Sequence, residues 1–251
     1  MFTRNLERTG AIALLFGAAG FILIFFYLHS TFGYPEVLAH GAADVLPRLA
    51  DGGSTLHHVW LLYAALPLTL LVAGIASMPL LEDGGGRGLA RLGAAAAMLA
   101  AVAMMLGLLR WSSIHDVLAA RWTTASPDQR ETYAAIFDAA NRYLGNLLGE
   151  LLGELALAGW FACIGVALRR SERRVGGTLI LVAAAIVAIS ALRQLTSVVA
   201  PIAALGNVIL PLGLFVIAGY MLTLRPSVRA AERVRLSRAL ETRAASGRST
   251  A

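Results

Sequence analysis

The sequence predicts an all-α, polytopic membrane protein with six transmembrane helices and both termini cytoplasmic. Three observations carry that prediction. The 251 residues are 58% hydrophobic and only 14% charged, where soluble domains carry about 25% charged residues. A spanning helix needs about 20 mostly apolar residues, and six segments supply them, at roughly 10–30, 57–80, 89–111, 143–168, 176–199 and 202–224. The basic residues are 21 arginines with no lysine, and they are spread unevenly over the connections.

The first span follows MFTRNLER, which resembles the charged start of a signal peptide. The apolar run is too long for one, and Phe and Tyr occupy the place of a small-residue cleavage site, so a retained anchor is expected. The Gly-rich EDGGGRG (82–88) reads as a turn without a phosphate-loop lysine. Two longer connections follow the first and third spans, at about 31–56 and 112–142. Within the second, WSSIHDVLAARW (111–122) places Trp111, Ile114, Leu118 and Trp122 on one face, as in a short interfacial helix on the outer side. Ser126 and Pro127 then read as N-cap and first residue of a helix. Tyr133, Ile136, Phe137, Ala140 and Leu144 continue its spacing into the fourth span. The expected domains are a six-helix unit over 1–224 and a basic cytoplasmic tail over 225–251.

Orientation comes from the arginines. Fifteen precede span one, lie between spans two and three or four and five, or follow residue 224; Arg48, Arg110, Arg121, Arg130, Arg142 and Arg193 fall elsewhere. Positive charge marks the cytoplasmic side. The formal charge of +6 therefore reflects orientation, and no nucleic-acid partner is expected. An all-arginine, Ala- and Leu-rich chain suits a GC-rich bacterial genome and the inner membrane. Cys163 is the single cysteine, so no disulfide within the chain and no thiol metal cluster can form. No GxSxG, HExxH, paired CxxC or Walker pattern is present. The sequence thus carries no enzyme fingerprint, which favours a non-enzymatic protein, and no cofactor is expected.

The stretch GNLLGELLGEL (145–155) places Glu150 and Glu154 among leucines and glycines. At every fourth residue the chain reads Asp138, Arg142, Asn146, Glu150, Glu154, which drift only slightly around a helix and so form one nearly continuous polar stripe. Gly145, Gly149 and Gly153 form a neighbouring small-residue stripe that lets another helix approach closely. Both stripes are expected to face the bundle. Intramembrane charges pair or line a cavity. Arg193, near the outer end of the fifth span, is the expected partner of Glu150, with Arg110 the second candidate and Glu154 standing apart one turn deeper. The pattern fits a structural ion pair, a proton- or cation-coupled site, or a pocket for a polar head group or ligand.

The five histidines, His29, His40, His57, His58 and His115, all fall at or above the outer interface. His29, His57, His58 and His115, with Asp116, are weak candidates for a metal site, because imidazole with carboxylate suits zinc or copper. No pair has the i, i+4 spacing of helical ligands, and polar interfacial residues are the expected reading.

LRW (109–111) with LA at 118–119, YLGNLLGELLG (143–153) and Trp160 resemble the bacterial membrane family called domain of unknown function 4386. The resemblance covers the middle third of the chain. The family's pattern runs Tyr-x-Gly, then Gly-Glu-His-Leu-Gly, then tryptophan; Tyr143, Gly145, Gly149, Glu150, Leu152, Gly153 and Trp160 match it. Leu151 replaces the usual histidine, Asn141 stands where another often sits, and Glu154 is additional. The resemblance implies no particular activity.

A binding or transport-like membrane protein with an outward-opening polar pocket centred on Glu150 is the leading functional expectation. The alternatives are a structural or accessory subunit, in which the glycine stripe packs a partner subunit or a second copy, and a membrane enzyme or metal-binding protein using the outer histidines.

Overall fold

The computed structural model describes residues 2–171 and 173–223. The expected basic tail over 225–251 lies outside the described residues. Among those described, six helices are long and apolar enough to cross a membrane.

Helix α1 (Phe2–Phe32) leads through a short 3-10 turn, Glu36–Ala39, into α2 (Ala42–Ala65). The second apolar segment, 57–80, therefore begins inside a longer helical run. Gly53 breaks that run at φ 53°, a left-handed backbone that glycine adopts without steric cost. After Leu66–Pro67 the chain continues as α3 (Leu68–Ala76), then turns at Ser77 into α4 (Met78–Leu109). The expected glycine turn lies inside α4, at Gly86 (φ 80°, ψ 176°).

Helix α5 (Ile114–Trp122) is followed by α6 (Pro127–Ala140). A capping box starts α6: the Gln129 backbone N–H donates to Ser126 Oγ at 3.4 Å, and the Ser126 N–H donates to Gln129 Oε1 at 2.9 Å. Helix α6 passes directly into a twelve-residue π-helical stretch, Asn141–Leu152, and then α7 (Gly153–Arg170). Helices α8 (Arg174–Ala191) and α9 (Ala200–Thr223) complete the chain, joined by two 3-10 turns.

Packing closes these helices into a ring, with successive neighbours α1, α3, α4, α7, α8 and α9, and α9 back against α1. Leu157, Trp160, Phe161, Ile164 and Leu168 of α7 fill much of the interior. Trp160 is fully buried and donates from Nε1 to the Ser77 hydroxyl at 3.2 Å. Ser77 in turn donates to the Gly74 carbonyl. An indole buried in apolar surroundings needs such an acceptor, and this one ties α7 to the α3–α4 junction.

A second core caps the end of the ring where α1 finishes. Trp60 and Trp111 stack at 4.7 Å and 13°, with the Phe32 edge against both rings at 5.8 and 5.6 Å. Aromatic pairs of this kind contribute about 0.5–1.5 kcal/mol each beyond their buried area. Helix α5 belongs to this cap. Leu118 and Trp122 are buried in it with Ala119, while Ile114 points outward. The apolar face expected to rest in the interface lies on α2 instead, within the same buried cluster.

Candidate functional site

Between the cap and the ring core, a cavity of ≈ 80 Å³ is lined by Tyr34, Tyr63, Arg110, Glu150, Glu154, Arg193 and Asn207, among others. A water occupies about 30 Å³ in the liquid, so the space suits a few waters or a small polar molecule.

Arg193 binds both glutamates. One terminal nitrogen donates to Glu150 Oε2 at 2.8 Å and to Glu154 Oε1 at 2.7 Å; the other donates to Glu154 Oε2 at 2.7 Å and to the Ser190 carbonyl at 2.9 Å. Gln194 Nε2 also donates to Glu150 Oε2. Glu154 thus does not stand apart. Two carboxylates one helical turn apart both lie within reach of the guanidinium fork, which has donors on two edges. Side-chain exposure is 26% at Arg193, 23% at Glu150 and 12% at Glu154, so the cluster is screened but not sealed.

Arg110 is 4% exposed and takes no part in that cluster. Its Nε donates to Asn141 Oδ1 at 2.9 Å, one terminal nitrogen donates to the Gly107 carbonyl, and the guanidinium lies 5.1 Å from the Trp111 ring centre. Among the described residues no carboxylate oxygen comes within 4.0 Å of it.

The glycines explain how α4 comes so close. A Cβ on Gly149 would stand 2.9 Å from the Gly107 Cα, one on Gly153 2.6 Å from Met104 Cγ, and one on Gly145 2.7 Å from the Arg110 guanidinium carbon. All three face α4 and its arginine.

Arg142 and Asn146 are elsewhere. Both are exposed and line a separate hollow with Tyr143, Leu147, Leu151, Gln194 and Leu195. Asp138 is exposed as well. Four residues overshoot one α-helical turn by about 40°, whereas across Asn141–Leu152 the i→i+5 bonding puts more than four residues in a turn and the same step falls short. A four-residue spacing therefore does not keep one face through 138–154. Only Glu150 and Glu154 of that stripe face the cavity.

Several lining residues carry no signal in the stripe. Tyr63 is 1% exposed, and its hydroxyl meets the Tyr34 side chain in a poorly aligned contact, with the two ring centres 6.2 Å apart. The Tyr34 phenol is pushed up to about 12 by burial first and the Glu150 charge second, so it stays a neutral hydroxyl at physiological pH. Asn207 sits inside the apolar run IAALGNVILPLG, where the rule applied to the glutamates would also have marked it.

The histidines scatter. His57 Nδ1 lies 3.2 Å from Asp116, His29 Nδ1 lies 3.0 Å from the Tyr34 carbonyl and 3.6 Å from Glu36, His40 pairs with Asp44, and His58 with the Ser54 carbonyl. His115 departs from the interfacial expectation. It is fully buried, edge-on to Trp111 at 4.7 Å and tilted on Phe137 at 4.4 Å, because α5 folds inward onto the cap. Among the described residues no group of three His, Cys, Asp or Glu side chains could hold a metal ion.

The chain belongs to the family described as Domain of unknown function (DUF4386), whose model matches residues 9–224. That match takes in all six apolar helices. No curated protein and no solved structure matches the chain.

Proposed function

We propose that this member of the family is a multi-pass protein of the bacterial cytoplasmic membrane, binding a small polar ligand in an outward-opening pocket centred on Glu150. The observation that carries this reading is that the Glu150–Glu154–Arg193 cluster lines a cavity. A purely structural ion pair is best served by close packing around it, because the desolvation cost of both charges is offset only by good geometry and full hydrogen bonding. The π-helical backbone beneath Gly145, Gly149 and Glu150 supports the same reading, since such stretches are rare and frequent at functional sites. Among the described residues that line the cavity there is no serine, cysteine or histidine, so binding or transport fits better than acyl-transfer chemistry.

The arginine distribution supports placing the cap on the outer side. Reporter fusions near residues 85 and 172 are expected to read cytoplasmic, and those near 45 and 125 external. An external signal near 172 would overturn this orientation.

Access to the pocket is tested by thiol labelling in a Cys163→Ala background. Cysteine at Asn207 is expected to react with a membrane-impermeant thiol reagent added outside intact cells, because a thiol reacts as the solvated thiolate. Cysteine at Leu212, 52% exposed on the ring's outer surface, is expected to stay unmodified. Equal labelling at both positions, or none at Asn207→Cys, would contradict an outward-opening aqueous pocket.

A further inference from the structure

We propose that the ligand of this pocket is a small zwitterion, its carboxylate held by Arg110 and the Tyr63 hydroxyl and its ammonium by Glu150 and Glu154. The inference rests on the reading of the cavity as a ligand site and names the chemistry that site would take.

The cavity wall carries two arginines and two glutamates, formally neutral in sum but divided in space. Arg193 spends its fork on both carboxylates, which leaves that side with one negative charge in excess. The compensating positive charge is on Arg110, which donates to the neutral acceptors Asn141 Oδ1 and the Gly107 carbonyl. A simple anion would satisfy Arg110 and leave the cavity with a net negative charge; a simple cation would do the reverse. Unbalanced charge in a low-dielectric site is costly. A molecule with one charge of each sign adds none, and each of its ends meets an opposite excess.

The donors and acceptors fit these ends. A planar guanidinium matches a carboxylate in geometry as well as charge. The Tyr63 hydroxyl is 1% exposed on the cavity wall, and its contact with the Tyr34 side chain is poorly aligned for a hydrogen bond, so its proton can turn to a ligand carboxylate. An ammonium has three donors and no acceptor, and Glu150 and Glu154 offer carboxylate oxygens on one helical face. Phe21, Met104, Leu108 and Leu210 close the remaining wall, and a cavity of ≈ 80 Å³ leaves little room for a large side chain.

Calorimetric titration of the full chain in detergent micelles tests this with glycine and β-alanine, whose charges are differently spaced. Acetate and methylammonium serve as the two half-ligands. At least one zwitterion is expected to bind saturably and about tenfold or more tighter than either half-ligand, the worth of one further charge-assisted contact. Tyr63→Phe removes only the hydroxyl and is expected to weaken that binding by about tenfold while leaving the melting temperature within a degree or so. Arg110→Lys keeps the charge without the fork and should weaken it as well. Absence of saturable binding for both zwitterions, a half-ligand that binds equally well, or full affinity in Tyr63→Phe would each overturn the assignment. If Asn207→Cys labels from outside and neither zwitterion binds, the ligand assignment fails and the aqueous pocket stands; without labelling both fail.

Discussion

Arg193→Gln is expected to destabilise the folded chain by about 3 kcal/mol, measured by unfolding in detergent micelles. The arginine is the shared partner of two carboxylates, at 2.7–2.8 Å from three of their oxygens. Glutamine keeps similar bulk and loses the charge, so Glu150 and Glu154 would face each other without a cation. Removing one side of a buried pair commonly costs about 3–5 kcal/mol. The lower end applies because the Arg193 side chain retains 26% exposure. Arg193→Lys should fall between wild type and Arg193→Gln, since an ammonium is a point charge that cannot serve both carboxylates with a fork. Wild-type stability in Arg193→Gln would mean that solvent already screens the cluster.

Gly149→Leu is the second large effect. A Cβ at that position would stand 2.9 Å from the Gly107 Cα and 3.2 Å from the Leu144 carbonyl oxygen, both backbone atoms that cannot rotate away. Leucine adds three more carbons, so α4 and the π stretch must separate. Overpacking of this kind costs about 1–3 kcal/mol, occasionally more. Gly159→Leu on the same helical run is the control, because its Cβ would meet Ala96 Cβ at an ordinary 3.7 Å. The Gly149 variant should melt lower than the Gly159 variant; equal melting would contradict the close α4 contact.

What could be read from the residues follows the strength of the physical constraint on each. Six apolar runs announce six helices because a bilayer fixes their length, and Ser126 with Gln129 marks a helix start because both orphan N–H groups find side-chain acceptors there. Glu150 and Arg193 were legible as partners because opposite charges in apolar runs at similar depth have few alternatives. Arg142 and Asn146 lie off the cavity because a four-residue spacing does not hold one face where α and π geometry meet, and the π backbone leaves no obvious mark in composition. Tyr34 and Tyr63 were hidden because a tyrosine near a span end is ordinary; only the aromatic cap, assembled from α1, α2, α5 and α6, brings both to the cavity. The burial of His115 is illegible for the same reason, as it depends on α5 folding inward rather than on any local spacing.

The coupling between Arg193 and Glu154 is the most direct measure of whether these charges act as one cluster. Stability is read for wild type, Arg193→Gln, Glu154→Gln and the double variant in the same micelles. Contacting residues that share an ion pair show interaction energies of about 0.5–3 kcal/mol, and their double hydrogen-bonded contact places this pair in the upper half of that range. The double variant should therefore lose clearly less than the two single losses combined. Losses that add to within about 0.5 kcal/mol would show that Arg193 and Glu154 do not depend on each other, and would contradict the charge cluster on which the pocket rests.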